Sequence, residues 1–144
     1  METATMGRVL TEATIENSGD LWNADQGTLP ADQVRRVTVT DALVDTGATT
    51  LGLPTRLIQQ LGLRKSYEKR AVSSTGPATV SVYGPVRVTI QGRSCSVDAM
   101  EVPDGDPVLI GQIPLEALDL VVDLSSRRLI GNPAHGGEHV LELY

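Results

Sequence analysis

The chain has no phenylalanine, one tryptophan, three tyrosines and one cysteine among 144 residues. So few aromatic side chains argue against a base-stacking surface for nucleic acid, and they leave the core to aliphatic residues. One cysteine, Cys95, rules out an intrachain disulfide framework and any multi-cysteine zinc or iron–sulfur site. Its place in an alternating stretch marks it as a small core residue. Basic residues are scarce, 12 against 18 acids for a net charge of −6, which argues against a nucleic-acid or anionic-membrane partner. No apolar run approaches the roughly 20 residues of a membrane span. Residues 1–7 carry an early acid and no apolar stretch, unlike a secretory signal. The expectation is a cytoplasmic protein with a reduced thiol.

What is present is period-two alternation, the signature of half-buried strands. Val9, Thr11, Ala13 and Ile15 share one face of a first strand, closed by a turn at Asn17-Ser18-Gly19-Asp20. Residues 21–33 read as a polar loop. Strand pattern returns over 34–45, through Val37, Val39 and Ala42-Leu43-Val44 to Asp45. A short helix is expected over 54–62, since Pro54 suits a first turn and Gly62 the position past the end. Leu57, Ile58 and Leu61 form its apolar stripe. Alternation resumes at Ala78, Val80 and Val82, then at Val86, Val88 and Ile90, and again over 95–99. Val108-Leu109-Ile110-Gly111 is a short apolar strand, and 114–118 one or two helical turns. Residues 120–122 and 128–130 form a hairpin, and the tail 139–144 alternates once more. With no repeat and no composition break, residues 1–144 read as one domain, able to bury roughly 70% of its unfolded surface. The class is all-β with one or two short helices.

The chemistry concentrates in Ala42-Leu43-Val44-Asp45-Thr46-Gly47-Ala48-Thr49-Thr50. An apolar strand delivers a carboxylate at its end, followed by a small residue and a glycine that permit a tight turn. Partial burial favours the protonated form of such an acid and prepares it for acid–base work. The plain alternative is an aspartate that closes a turn with its own side chain, aided by Thr46 and Gly47. His135-Gly136-Gly137-Glu138-His139 matches a His-x-x-Glu-His zinc pattern in letters, but that pattern needs a helix. Pro133, Gly136 and Gly137 oppose one, so a polar loop is expected. Residues 47–52 hold neither a P-loop Lys-Ser/Thr nor a Gly-x-Gly-x-x-Gly.

Leu43-Val44-Asp45-Thr46-Gly47-Ala48 resembles the active-site loop of the retropepsin-like aspartic proteases, the group of retroviral proteases and their cellular and bacterial relatives. Leu109-Ile110-Gly111, about 65 residues on, resembles the apolar pair and glycine that precede the helix of that family. Tyr83-Gly84-Pro85-Val86 and the 120–130 hairpin are similar to the bacterial members. The resemblance spans Gly7 to Ile130, with 131–144 as a C-terminal tail strand. It implies an acid-protease half-barrel acting as a homodimer on a peptide or protein substrate, without metal or organic cofactor.

Carried onto this chain, the resemblance implies Asp45 as the catalytic carboxylate. Thr46 would bond to its symmetry mate, Gly47 would bring backbone near the substrate, and Ala48 would complete the loop. Residues 70–82, turning at Ser74-Thr75-Gly76-Pro77, would be the flap over the cleft. That tip is poorer in glycine than the retroviral pattern and carries a stiffening proline. Aspartic-protease chemistry needs two carboxylates, and no second Asp-Thr/Ser-Gly exists. Asp123 precedes Leu124-Ser125, and Asp41 lies on the same strand as Asp45. The second carboxylate therefore comes from a second chain, with tail residues Leu141 and Leu143 as candidates for pairing between subunits. Ala48 has no hydroxyl to hydrogen-bond the carboxylates, which places the expected optimum in mildly acidic solution, roughly pH 4–6. The implied activity is an aspartic endopeptidase using an activated water. A non-catalytic dimeric peptide-binding module with the same fold is the alternative.

Overall fold

The computed structural model describes residues 8–140, 142 and 143. Alternation decides the first contacts: in β1 (Leu10–Asn17), Ala13 and Ile15 turn inward and are fully buried. The chain continues through helix α1 (Ser18–Asp25), β2 (Arg36–Val44), β3 (Leu51–Pro54), helix α2 (Thr55–Gln60), β4 (Lys65–Ser73), β5 (Gly76–Ile90) and β6 (Arg93–Val102). Then follow β7 (Leu109–Ile110), helix α3 (Gln112–Leu118) and a hairpin of β8 (Leu120–Asp123) with β9 (Arg128–Gly131).

The main sheet has the order β1-β2-β7-β3-β6-β5-β4. Residues 14–17 of β1 pair with β5, and 14–16 of them with β2 too, so the curved sheet closes a ring of six strands and leaves β4 outside it. The core is aliphatic, with Ile15, Leu51, Leu53, Val88 and Ile110 entirely shielded. Leu57, Ile58 and Leu61 of the α2 segment join it, as do Leu115 and Leu118 of α3. Cys95 is half-buried against this core, and desolvation pushes its thiol up. No helix among the described residues is long and apolar enough to cross a membrane.

Three α-helices replace the one or two expected. The extra one, α1, occupies residues 18–25, where a turn and polar loop were expected. It has no apolar stripe and presents Trp22 at 64% exposure. Polar anchors hold it instead. Asn17 caps it by accepting from Asp20 N–H (3.0 Å) and donates from Nδ2 to Leu61 O (2.8 Å). Buried Asp20 takes a two-pronged ion pair from Arg35 at 2.8 and 2.9 Å, which holds its carboxyl below the usual range.

β3 is a strand that its sequence conceals, because Leu51-Gly52-Leu53-Pro54 carries two residues that weaken strands. It is clamped between β6 and β7, where a Cβ on Gly52 would meet Leu109 at 3.2 Å. The alternating runs 78–82 and 86–90 are one strand, β5, irregular in register around a cis Gly84–Pro85 bond.

The tail departs most from expectation. Residues 133–135 form a 3-10 turn, and 138–140, 142 and 143 have no strand pairing; Leu141 and Tyr144, like Gly7, lie outside the described residues. Side-chain contacts hold the tail in place of ladder hydrogen bonds. His139 Nε2 meets Ala117 O (3.0 Å), and Val140 N–H donates to Asp119 Oδ2 (3.1 Å).

Candidate active site

β2 delivers Asp45 by pairing in parallel with β7, Leu43 beside Leu109 and Val44 beside Ile110. Asp45 N–H then donates to Ile110 O (2.9 Å), and the chain turns at once, with Ala48 N–H on Asp45 O (3.0 Å). Asp45 is half-buried, while Thr46 and Gly47 are exposed. Asp45 Oδ1 accepts from Gly47 N–H (3.0 Å), and the second carboxylate oxygen takes no hydrogen bond from the described residues. One oxygen of the side chain thus closes the turn and the other is left open.

Helix α3 fixes the far side of this loop. Gln112 N–H donates to Ala48 O (2.9 Å) and Ile113 N–H to Thr49 O (2.8 Å), so the helix's free first-turn donors grip the loop's carbonyls. Gly111 sits so close that a Cβ there would lie 2.6 Å from Ala48 O. This is why an apolar pair and a glycine stand together at 109–111. Thr50 Oγ1 ties the other end to Asp98 O (3.2 Å).

Beyond the loop opens a cleft of about 440 Å³, reached through Thr49 and Thr50 and roofed by the β4–β5 hairpin. Its lining includes Tyr67, Lys69, Val80, Val82, Met100 and Ile113. The hairpin falls on the segment expected to be the flap, residues 70–82, but starts at Lys65. Its turn is Ser74-Thr75, with Gly76 and Pro77 already in β5, Pro77 opposite Val72. Ser73 Oγ braces the tip by donating to Gly76 O (2.9 Å). Neither the tip residues 74–77 nor Asp45 to Ala48 line the cleft; the middle of β4 does. Sequence reading missed Tyr67 and Lys69 because every residue of β4 except Ala71 is exposed and the strand shows no apolar alternation.

The two histidines go separate ways, and Gly136 and Gly137 (φ 66° and 80°) keep residues 135–139 out of a helix. His135 lies between two carboxylates, Nδ1 to Asp119 Oδ2 and Nε2 to Glu142 Oε1, each at 2.6 Å. Only the protonated ring donates from both nitrogens. Glu142 and Asp119 accordingly raise the His135 pKa. Burial resists ionisation of Asp119, but hydrogen bonds from His135, Val140 N–H and Asn132 Nδ2 outweigh it and bring that carboxyl down to about 2.

A family model described as aspartyl protease matches residues 33–113, from just before β2 to the first turn of α3. No match was found among curated proteins. The matched segment covers the Asp45 loop, the β4–β5 hairpin and Leu109-Ile110-Gly111, more than half of the chain. The chain belongs to the aspartyl protease family, of the retropepsin-like kind.

Proposed function

We propose that two copies of this chain form a symmetric homodimer that hydrolyses peptide bonds, each copy supplying Asp45 to one site on the two-fold axis. The observation that carries this reading is Asp45 itself. It is a strand-end carboxylate with one oxygen tied to Gly47 and one unpartnered, in a chain without a second Asp-Thr/Ser-Gly. Two such groups brought together share one proton, since both cannot ionise at close range.

The ionised member takes a proton from water as the water oxygen attacks the scissile carbonyl carbon. The protonated member gives its proton to the carbonyl oxygen, forming a gem-diol. Collapse breaks the C–N bond, passes one dyad proton to the leaving nitrogen and returns a hydroxyl proton to the other carboxylate. No bond joins enzyme to substrate. Thr46 and Gly47 orient the loop and present backbone to the peptide, Ala48 is the loop's anchor on α3, and the hairpin with Ser74, Thr75, Gly76 and Pro77 covers the cleft.

For the two carboxylates to meet, the surface around the loop has to be the contact. Thr46 is exposed there, and Ile113 on α3 is 48% exposed. A groove of about 280 Å³ runs between Thr46, Gln112, Leu115 and Val122. Among the described residues no third strand pairs with the two-stranded β8–β9 sheet beside it, which offers its edges to a second copy, a role the sequence reading gave to the tail. Sedimentation at micromolar concentration should give a mass near twice 15.3 kDa, and hydrolysis of an unfolded protein, per chain, should fall as dilution splits the dimer. An active monomer would sink the shared site. A dimer that binds unfolded protein and cleaves nothing would leave the peptide-binding module standing in its place.

A further inference from the structure

Resting on that hydrolytic reading, we propose that the flap selects peptides with an acidic side chain seated in the cleft that opens beyond the Asp45 loop, and that Lys69 is the residue that reads it. Charge is distributed unevenly. Residues 64–83 carry Arg64, Lys65, Lys69 and Arg70 against Glu68, a balance of +3 in a chain of −6, so the remainder carries −9. Lys65 is engaged with Glu68 at 2.7 Å. Lys69 takes part in none of the ion pairs among the described residues.

Register fixes the direction of Lys69. It stands opposite Val80, flanked by Tyr67 opposite Val82 and Ala71 opposite Ala78. Directly opposed residues of antiparallel strands share a face. This is the face on which Val82 is buried and Ala71 and Val80 are half-buried, which makes it the cleft side of the hairpin. Lys69 therefore brings an unpaired ammonium to a cleft whose other walls include Val97, Met100 and Ile113. Arg70, on the alternate face of β4 and likewise in no ion pair among the described residues, also lines it and adds to the positive charge there. Asp98 lines the same cleft, but its Oδ1 lies beside Gly84 and bridges no cation.

A bound peptide displaces water from this space and strengthens every charge interaction within it. A carboxylate facing Lys69 is then favoured, a neutral amide is indifferent and a second cation is repelled. The acidic remainder of the molecule repels an acidic peptide, so the attraction is confined to the flap. An amine on an apolar strand face thus supplies selectivity in sign, with the apolar walls accepting the side chain's stem.

The test uses three peptide libraries with randomised flanks and a central position fixed as Glu, Gln or Lys. They are assayed at about pH 5.5, where a free glutamate is mostly ionised. Binding is read by fluorescence anisotropy and cleavage sites by mass spectrometry. Wild type should bind the Glu library several-fold more tightly than the Gln library, and the Lys library least. Cleavage sites should be enriched in acidic residues near the scissile bond. Lys69→Gln should erase both preferences and Lys69→Glu should invert them, with the contrast fading in about 0.5 M salt. Cleavage with one profile in wild type and Lys69→Glu overturns the selectivity and keeps the hydrolysis. A Glu preference in binding with no cleavage of any library keeps the selectivity and overturns the hydrolysis.

Discussion

Helix α3 has a carboxylate at each end, and the two are treated in opposite ways. Beyond its N-terminal end, Asp45 is half-buried and uses one oxygen on Gly47 N–H. At its C-terminal end Asp119, in a left-handed conformation (φ 56°), accepts from Asn132, His135 and Val140 N–H. Arg93 reinforces that second corner by donating to Leu118 O, Asp119 O and Gly137 O. A carboxylate that holds a fold together has its oxygens saturated by donors. Asp45, the carboxylate to which the proposed function gives the chemistry, is held by its backbone, through Ile110 O and Ala48 N–H, and keeps an oxygen open.

Substituting each end separates these roles, and the largest effect falls on Asp45. Asp45→Asn retains an oxygen for Gly47 N–H but offers no ionisable group. Hydrolysis should fall by at least about 100-fold, the lower scale of positioned acid–base catalysis. Stability should stay within about 0.5 kcal/mol of wild type. Denaturant melts beside a cleavage assay check both, and residual activity above about one percent would assign the chemistry elsewhere.

Gly111→Ala breaks the backbone grip instead of the acid. The added methyl meets two carbonyl oxygens, Ala48 O and Thr50 O, and neither belongs to a flexible side chain that can move aside. The expected cost is about 1–3 kcal/mol from overpacking, together with loss of hydrolysis because the loop shifts. A stable variant with unchanged activity would show that α3 does not position Asp45.

The other corner should behave in reverse. Asp119→Ala leaves Asn132 Nδ2, Val140 N–H and His135 without their acceptor, and it places a residue with no local hydrogen bond in the left-handed region. The melting temperature should drop and the tail should become sensitive to protease. Hydrolysis should survive at concentrations that keep the chains paired. Asp119→Asn, which tolerates the backbone and keeps one acceptor, should be milder.

The contrast between the corners also explains what the sequence discloses. Asp45 was legible because its signal is local: an apolar strand, an acid, a small residue and a glycine in consecutive positions, with Leu109-Ile110-Gly111 as a second marker. The core strands were legible because burial on one face writes alternation into Val86-Arg87-Val88 and Val97-Asp98-Ala99. Asp119, His135 and Arg93 were not, since their partners lie 7 to 44 residues away and polar contacts impose no period. Helix α1 escaped for the same reason, being anchored by Asn17 and by the Asp20–Arg35 pair instead of an apolar stripe. Residues 65–69 of β4, Lys69 among them, escaped because a strand outside the ring is exposed along almost its whole length.

The smallest predicted effect is the most specific to the saturated corner, because it depends on charge. His135 is raised by Glu142 and Asp119, so its contribution to stability is complete below about pH 6.5 and is lost as pH climbs through the raised folded value. Asp119 is lowered to about 2, so its contribution is complete above about pH 4 and is lost as pH falls towards that value. The corner is therefore strongest between about pH 4 and 6.5, the same mildly acidic range expected of a shared-proton dyad. His135→Gln removes the titrating ring and leaves an amide able to donate to one carboxylate. The wild-type melting temperature should decline from about pH 6.5 to 8.5 more steeply than that of the variant. Glu142 is 47% exposed, so salt should shrink the difference. Parallel declines in the two proteins would mean that the tail is held by shape and neutral hydrogen bonds alone, and that the two ends of α3 differ in geometry but not in charge.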